Sequence, residues 1–302
     1  MFDVVVVGAG PSGFSAAIYL AKAKFSVLVL GIHSKSKLFK APMIHNLFGF
    51  RDGIEGKKLL ENGIEQAKSF GAQCIEEEVI NVKRKDDFFA VKTDSLKEFE
   101  AKNVVLASGL SYKPSGIKNE ETLVGKGVHY CVMCDGFFYA EKNVCVVGNG
   151  NYAAEEALQL LSYTKNISIF SNGGSFAFSD ELKKSISDNK IVLRNEKILE
   201  FVKAENGIEL HFENSKSELF DGAFMALGNA GAFSFAQNLG LELNGNAIKV
   251  DSEGKTNVKG VYAVGDCTGA LSQVSFAAGM ACNVAFTIIK SSAGKKVYVD
   301  YG

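Results

Sequence analysis

Two thiols and an acid stand together at Cys131-Val132-Met133-Cys134-Asp135-Gly136. Thiols two residues apart can close into a small, reducible disulfide, and a carboxyl group directly behind the second can deliver or accept the proton that thiol–disulfide exchange moves. The same spacing also serves half of a zinc site or a chance pair of core cysteines. The other four cysteines, Cys74, Cys145, Cys267 and Cys282, stand singly, with no second CxxC and no histidine at ligand spacing. The motif is therefore read as a redox centre with Cys131, Cys134 and Asp135 as candidate catalytic residues, and no metal is expected.

The elements that must position these residues repeat. Phe2 to Val7 is an apolar run that ends in Gly8-Ala9-Gly10-Pro11-Ser12-Gly13, followed by Phe14 to Leu20 with helical spacing. Strand, GxGxxG, helix is the context a dinucleotide loop requires. Gly8 makes the tight turn, Gly10 admits a pyrophosphate, Gly13 lets the helix sit close, and the helix N-terminus offers its amides. Asn143 to Val147, Gly148-Asn149-Gly150-Asn151-Tyr152-Ala153 and Ala154 to Leu161 repeat the pattern as strand, GxGxxA and helix. Two nucleotide folds are thus expected in one chain, with the cysteine pair just upstream of the second.

Between the two loops, Gly56 to Ala72 reads as an amphipathic helix and Val79–Arg84, Phe88–Lys92 and Glu98–Ala101 as an antiparallel meander with polar turns. Asn103 to Gly109 returns as a buried strand ending in small residues, where backbone can press against a ligand, and Pro114 marks the crossing to the second unit. Short strands are expected from Lys197 to Ala226. Gly260-Val261-Tyr262-Ala263-Val264-Gly265-Asp266-Cys267 then delivers an aspartate at a tight turn, before a small-residue helix from Gln273 to about Ile289.

The 302 residues are enough for about two domains. A 47% share of hydrophobic residues and 22% of charged ones are ordinary for a globular protein, and no apolar run is read as membrane-spanning. The N-terminus lacks a basic region ahead of its apolar stretch and runs straight into the glycine loop, so a cytoplasmic location is expected, where a CxxC is more often catalytic than structural. Net charge is −1, which offers no basic field for nucleic acid.

With GxGxxG, CxxCDG, GxGxxA and GVYAVGD in this order, the chain resembles the low-molecular-weight thioredoxin reductase family from end to end. Asn46-Leu47-Phe48-Gly49-Phe50, Gln66 to Ala72, Gly127-Val128-His129-Tyr130 and Gln273-Val274 extend the likeness. The resemblance implies an α/β fold of two Rossmann-like three-layer nucleotide-binding domains, the second inserted in the first, each with a small antiparallel β meander. The expected boundaries are 1–113 and 246–302 for the FAD-binding domain and 114–245 for the central redox domain, with hinges near 113–117 and 243–247.

It also implies FAD held by Gly8, Gly10, Pro11, Ser12, Gly13, Asn46, Gly109, Asp266, Gln273 and Val274. Cys134 would face the flavin, Cys131 would attack the thioredoxin disulfide, and Asp135 would be the acid/base. A homodimer, thioredoxin as partner, no nucleic acid and no membrane complete the expectation.

The family's second fingerprint is normally followed by a His-Arg-Arg run and a later arginine that grip a 2′-phosphate. Here Ser171-Asn172-Gly173 stand in that place, no arginine lies between Arg84 and Arg194, and Tyr152 puts a bulky ring where a pyrophosphate approaches. Neither second strand ends in the acid that holds a ribose. NAD(P)H is therefore disfavoured: reduced ferredoxin ranks first as donor, since a subset of the family is independent of pyridine nucleotides, NADH second and NADPH third. Lys35, Lys37 and Lys40 are candidate ferredoxin contacts, and Tyr298 or Tyr301 of the tail a candidate flavin stack. A flavin-dependent ferredoxin–NADP reductase is the main rival, and it would lack the CxxC.

Overall fold

The computed structural model describes residues 1–109, 115–130, 132–227, 232–245 and 247–292, without the side chains of 133, 134, 232 and 233. The chain divides into two compact units, Met1–Ser111 with Gly231–Gly302, and Tyr112–Ala230, so the second is inserted in the first.

In the first unit, β1 (Phe2–Val7) carries four successive valines, all essentially without solvent contact. A strand apolar on both faces belongs at the centre of a parallel sheet. The unit continues with α1 (Pro11–Lys22), β2 (Val27–Leu30), α2 (Gly56–Ser69), β3 (Gln73–Ile75), β4 (Val79–Lys85), β5 (Phe88–Thr93) and β6 (Glu98–Leu106), and regains β17 (Val261–Ala263) and α7 (Val274–Ser291) after the insertion. The sheet runs β3-β2-β1-β6-β5-β4, with β17 also paired to β6.

One strand, β6, does the work expected of two. Its first half pairs antiparallel with β5, from Lys92↔Glu98 to Phe89↔Ala101, and its second half parallel with β1 and β17, up to Val7↔Leu106 and Ala263↔Leu106. Nothing in Ala101-Lys102-Asn103 breaks an extended chain, so the meander and the returning strand are continuous. Helix α7 is long and apolar enough to span a bilayer by length and composition alone, which the sequence reading did not anticipate. Here it packs along α1, its Ala281, Val284, Ala285 and Ile288 buried with Phe14, Ala17 and Leu20.

The second unit carries β7 (Val128–His129), α3 (Val132–Asp135), β8 (Val144–Val147), α4 (Asn151–Leu160), β9 (Ile167–Phe170), α5 (Asp180–Asp188) and β10 (Val192–Arg194). An antiparallel sheet of β11 (Ile198–Ala204), β12 (Gly207–Phe212) and β13 (Ser217–Phe220) follows, and β14 (Gly222–Met225) closes the unit. The parallel sheet runs β10-β9-β8-β14-β7. Phe170 of β9 joins the two sheets, stacked 5.5 Å from Phe212 and edge-on to Phe220 at 5.7 Å, with Phe201 fully enclosed nearby.

The return to the first unit falls at 230/231 and not at 245/246. Helix α6 (Ala232–Leu239) packs on β4 and on β16 (Ala247–Ile248), and β16 pairs with β15 (Leu243–Asn244) as a hairpin. Residues 243, 244 and 247, within the stretch read as a hinge, thus belong to that hairpin of the first unit. The outward crossing, expected at 113/114, falls at 111/112.

Candidate functional site

The first glycine loop is shaped by close approaches. Gly8 has φ +125°, and a Cβ there would lie 2.2 Å from the Ala107 carbonyl oxygen at the end of β6. A Cβ at Gly13 would lie 2.0 Å from the Gly8 carbonyl oxygen. Neither position admits a side chain, whereas Gly10 has only the Ser36 hydroxyl nearby, at 3.6 Å. Helix α1 begins with Pro11 at its first turn and no side-chain cap, which leaves amides there for a ligand.

Of the other expected flavin residues, Asp266 stands next to the loop. Gly265, at φ +75°, is pressed so close to Ser12 that a Cβ would meet its hydroxyl at 2.8 Å, and Asp266 follows directly. Asp266 Oδ2 accepts from Lys37 Nζ (2.9 Å) and from the Ser272 hydroxyl (2.8 Å). Asn46 Nδ2 donates to Gln273 Oε1 (2.9 Å), and Gln273 caps α7, whose first residue is Val274. Gly109, at φ +70° just beyond β6, has nothing within 4 Å of its missing Cβ.

All ten expected residues thus lie in the first unit, with Gly8 against Gly13 and Asn46 bonded to Gln273. An open phosphate loop, an uncapped helix start and a convergent Asp–Asn–Gln set fit FAD. Lys37 and Ser272 were not singled out as flavin-site residues from sequence. Lys37 was instead read with Lys35 as a docking contact for a partner, but each is held by a carboxylate, Lys37 by Asp266 and Lys35 by Glu78.

The second glycine loop has the same backbone logic: a Cβ at Gly148 would lie 2.2 Å from the Ala226 carbonyl oxygen after β14. The start of α4 also lacks a side-chain cap, but several polar groups of the loop are engaged by the chain itself. The Ala177 amide donates to the Asn149 carbonyl (2.8 Å), Gly150 bridges to Ala177, Asn149 Nδ2 donates to the Ser175 carbonyl (3.2 Å), and the Ser179 amide donates to Asn151 Oδ1 (2.8 Å). Tyr152, expected to obstruct a pyrophosphate, is 4% exposed and turned inward. Arg194, beside Ser171 on β10, is fixed between Glu196 (2.6 Å) and Glu218 (2.8 Å), over the Phe170 ring at 4.9 Å. Lys183 pairs with Asp180 at 3.0 Å.

At the redox motif, Cys131 lies outside the described residues, and Cys134 is described only as backbone within α3. The start of α3 rests on Glu156 of α4, whose Oε2 accepts from the Val132 amide (3.3 Å) and which is 3% exposed. Sequence reasoning missed Glu156, although its place in the buried stripe Ala153, Glu156, Ala157, Leu160 of α4 marks it. Asp135 lies 3.0 Å from His129 Nδ1, and His129 Nε2 lies 2.6 Å from the Tyr139 hydroxyl. Burial, with the carboxylates of Asp135 and Asp221, pushes the Tyr139 phenol up to about 12.

Directly after the motif, Phe137 and Phe138 are 64% and 60% exposed, their rings 4.7 Å apart. The single cysteines suit no exchange chemistry at the two sites where burial is complete: it pushes the Cys267 thiol up to about 12 and the Cys145 thiol higher still. Tyr298 and Tyr301 lie outside the described residues.

A profile of the pyridine nucleotide-disulphide oxidoreductases matches residues 2–281, and the chain belongs to that family. Within it, the chain is a member of the thioredoxin reductase group. It is 33% identical to the thioredoxin reductase of Aquifex aeolicus, over 99% of this chain and 96% of that protein, and 31% identical to that of Streptomyces coelicolor, over 94% and 91%. Among solved structures, the atypical thioredoxin reductase TRi from Desulfovibrio vulgaris Hildenborough matches with a TM-score of 0.90 and 37% identity, over 96% of this chain and 97% of that one. A ferredoxin-flavin thioredoxin reductase from Clostridium acetobutylicum matches with a TM-score of 0.67 and 29% identity, over the same shares.

Proposed function

We propose that this flavoprotein reduces thioredoxin through Cys131 and Cys134, and that its electrons come from reduced ferredoxin and not from NADPH. Bound FAD would supply two electrons to the Cys131–Cys134 disulfide, which with two protons becomes a dithiol. Cys131 then attacks the thioredoxin disulfide, Cys134 resolves the mixed disulfide, and Asp135 carries the proton between sulfurs. The exposed Phe137–Phe138 pair, next to the motif in sequence, offers an apolar patch on which a disulfide protein can dock.

The observation that carries the choice of donor is the second glycine loop. Its Asn149 and Asn151 side chains are bonded to residues 175–179 of its own chain, and the places for 2′-phosphate-binding arginines hold Ser171, Asn172 and Gly173. A lost charge-assisted bidentate contact removes on the order of kilocalories of affinity. The likeness to a ferredoxin-flavin enzyme supports the same donor. A homodimer in a reducing cytoplasm completes the proposal.

The test is anaerobic: flavin absorbance is followed while NADPH, NADH or chemically reduced ferredoxin is added in separate cuvettes. Rapid bleaching by ferredoxin alone is expected. Rapid bleaching by NADPH would overturn the choice of donor.

A further inference from the structure

His129 is buried, yet neither ring nitrogen faces apolar groups alone. Its side chain is 7% exposed, with Nδ1 toward Asp135 at 3.0 Å and Nε2 toward the Tyr139 hydroxyl at 2.6 Å. Phe224 of β14 packs 5.4 Å from the ring, opposite His129 in the β7–β14 register, and Tyr139 meets the ring edge-on at 5.2 Å. The imidazole is therefore held on all sides by β14, the turn at Gly136–Tyr139 and the end of α3. Asp135, Asp221 and Lys142 are the charged groups bearing on Tyr139, the last 5.7 Å from its ring centre.

The Tyr139 hydroxyl engages Nε2, which leaves Nδ1 as the ring nitrogen that faces Asp135. The Nδ1 contact is short but off the ring's N–H axis, and Nδ1 has no in-line hydrogen bond among the described residues. A buried ring nitrogen beside a 28% exposed carboxyl group makes a holding point from which the acid can turn away and to which it can return.

We propose that His129, locked by Tyr139, is a positioning residue that orients Asp135 for proton transfer at the Cys131–Cys134 pair. This rests on the reading of Asp135 as the acid/base. In the exchange, the enzyme dithiol loses two protons and two electrons, the thioredoxin S–S bond breaks as the enzyme S–S bond forms, and the two protons end on the thioredoxin sulfurs. Asp135 ferries protons between the sulfurs. His129 enters the exchange only through its side-chain contact with Asp135, which sets the direction the carboxyl group faces.

The experiment uses the full-length FAD-loaded enzyme, photoreduced anaerobically and mixed with oxidised thioredoxin in a stopped-flow instrument, so that the physiological donor does not enter. Asp135→Asn slows the limiting single-turnover rate at least ~100-fold, the usual worth of a general acid or base. His129→Leu slows it about tenfold while the half-saturating thioredoxin concentration stays put, and the solvent deuterium isotope effect on the step grows. His129→Asn, which keeps an N–H near the Nδ1 position, recovers most of the rate, and Tyr139→Phe falls between.

The double variant Asp135→Asn/His129→Leu is no slower than Asp135→Asn alone, because one residue acts through the other. A His129→Leu enzyme with the parent rate and isotope effect, while Asp135→Asn is slow, overturns the role of His129 by itself. Losses that multiply in the double variant, or an Asn variant no better than Leu, reduce His129 to packing and also overturn it. An Asp135→Asn enzyme at full rate removes the acid/base reading on which it stands.

Discussion

Asp266 is a side chain already engaged within its own chain and expected to hold a ligand as well. Its Oδ2 takes hydrogen bonds from Lys37 and Ser272, so the carboxylate is oriented in advance for a cofactor hydroxyl at its other oxygen. Replacing Asp266 with Ala removes an acceptor that is charged and preorganised. Hydrogen bonds to charged groups are worth about 1.5 to 3 kcal/mol, which corresponds to roughly 10- to 150-fold weaker FAD binding. The ratio of flavin to protein absorbance after dialysis reads this directly, and retention equal to the parent would count against Asp266 as a ligand. The residue was legible in the sequence because a strand ending in Gly-Asp is a local pattern. Lys37 and Ser272 were not, because only the fold brings position 37 within reach of position 266.

At the scale of elements, the Gly136–Tyr139 turn after α3 divides its aromatics by face. Tyr139 goes inward to His129, while Phe137 and Phe138 remain in solvent. Two adjacent exposed rings are poor for stability and good for docking. Phe137→Ala combined with Phe138→Ala should raise the half-saturating thioredoxin concentration about tenfold with little change in the limiting rate, measured with the photoreduced enzyme. An unchanged saturation curve would move the docking surface elsewhere. Strands and helices flanked by glycine loops were readable because valine runs and helical spacing are local signals. The continuity of β6 and the β15–β16 hairpin were not, since each depends on which distant strand or helix supplies the partner. His129 escaped notice for the same reason: its chemistry comes from residues 135 and 139, and the spacing resembles no motif.

For the whole molecule, the Rossmann-like units and their nesting could be read from the repeated fingerprint, while the place of the second boundary depended on the packing of α6 and could not. Stability offers a separate test, at Glu77. Burial pushes this carboxyl up, but bonds from Lys97 (2.5 Å), Ser95 (2.5 Å) and Thr93 (2.6 Å) prevail and hold it at about 2. A depressed carboxylate stabilises the fold above its ordinary pKa, given as 4.5, and that contribution disappears as pH falls through about 2. With allowance for solvent screening, Glu77→Gln should cost about 1 to 2 kcal/mol at pH 7, and the gap to the parent should close as pH drops from 4.5 toward 2. Denaturant melts across that range decide it, and a gap independent of pH would assign the effect to lost packing.

Gly148 carries a consequence for what a nucleotide signature means. Its missing side chain is demanded by the Ala226 carbonyl, 2.2 Å from where a Cβ would stand, whether or not any nucleotide visits the loop. The glycine is therefore required for closure of the sheet, and residues 171–173 answer to a separate local demand: the Asn172 side chain accepts from the Ile198 amide and Gly173 has φ +83°. A chain can therefore keep displaying a nucleotide signature that records how the strand and helix fit together and is silent about what they bind.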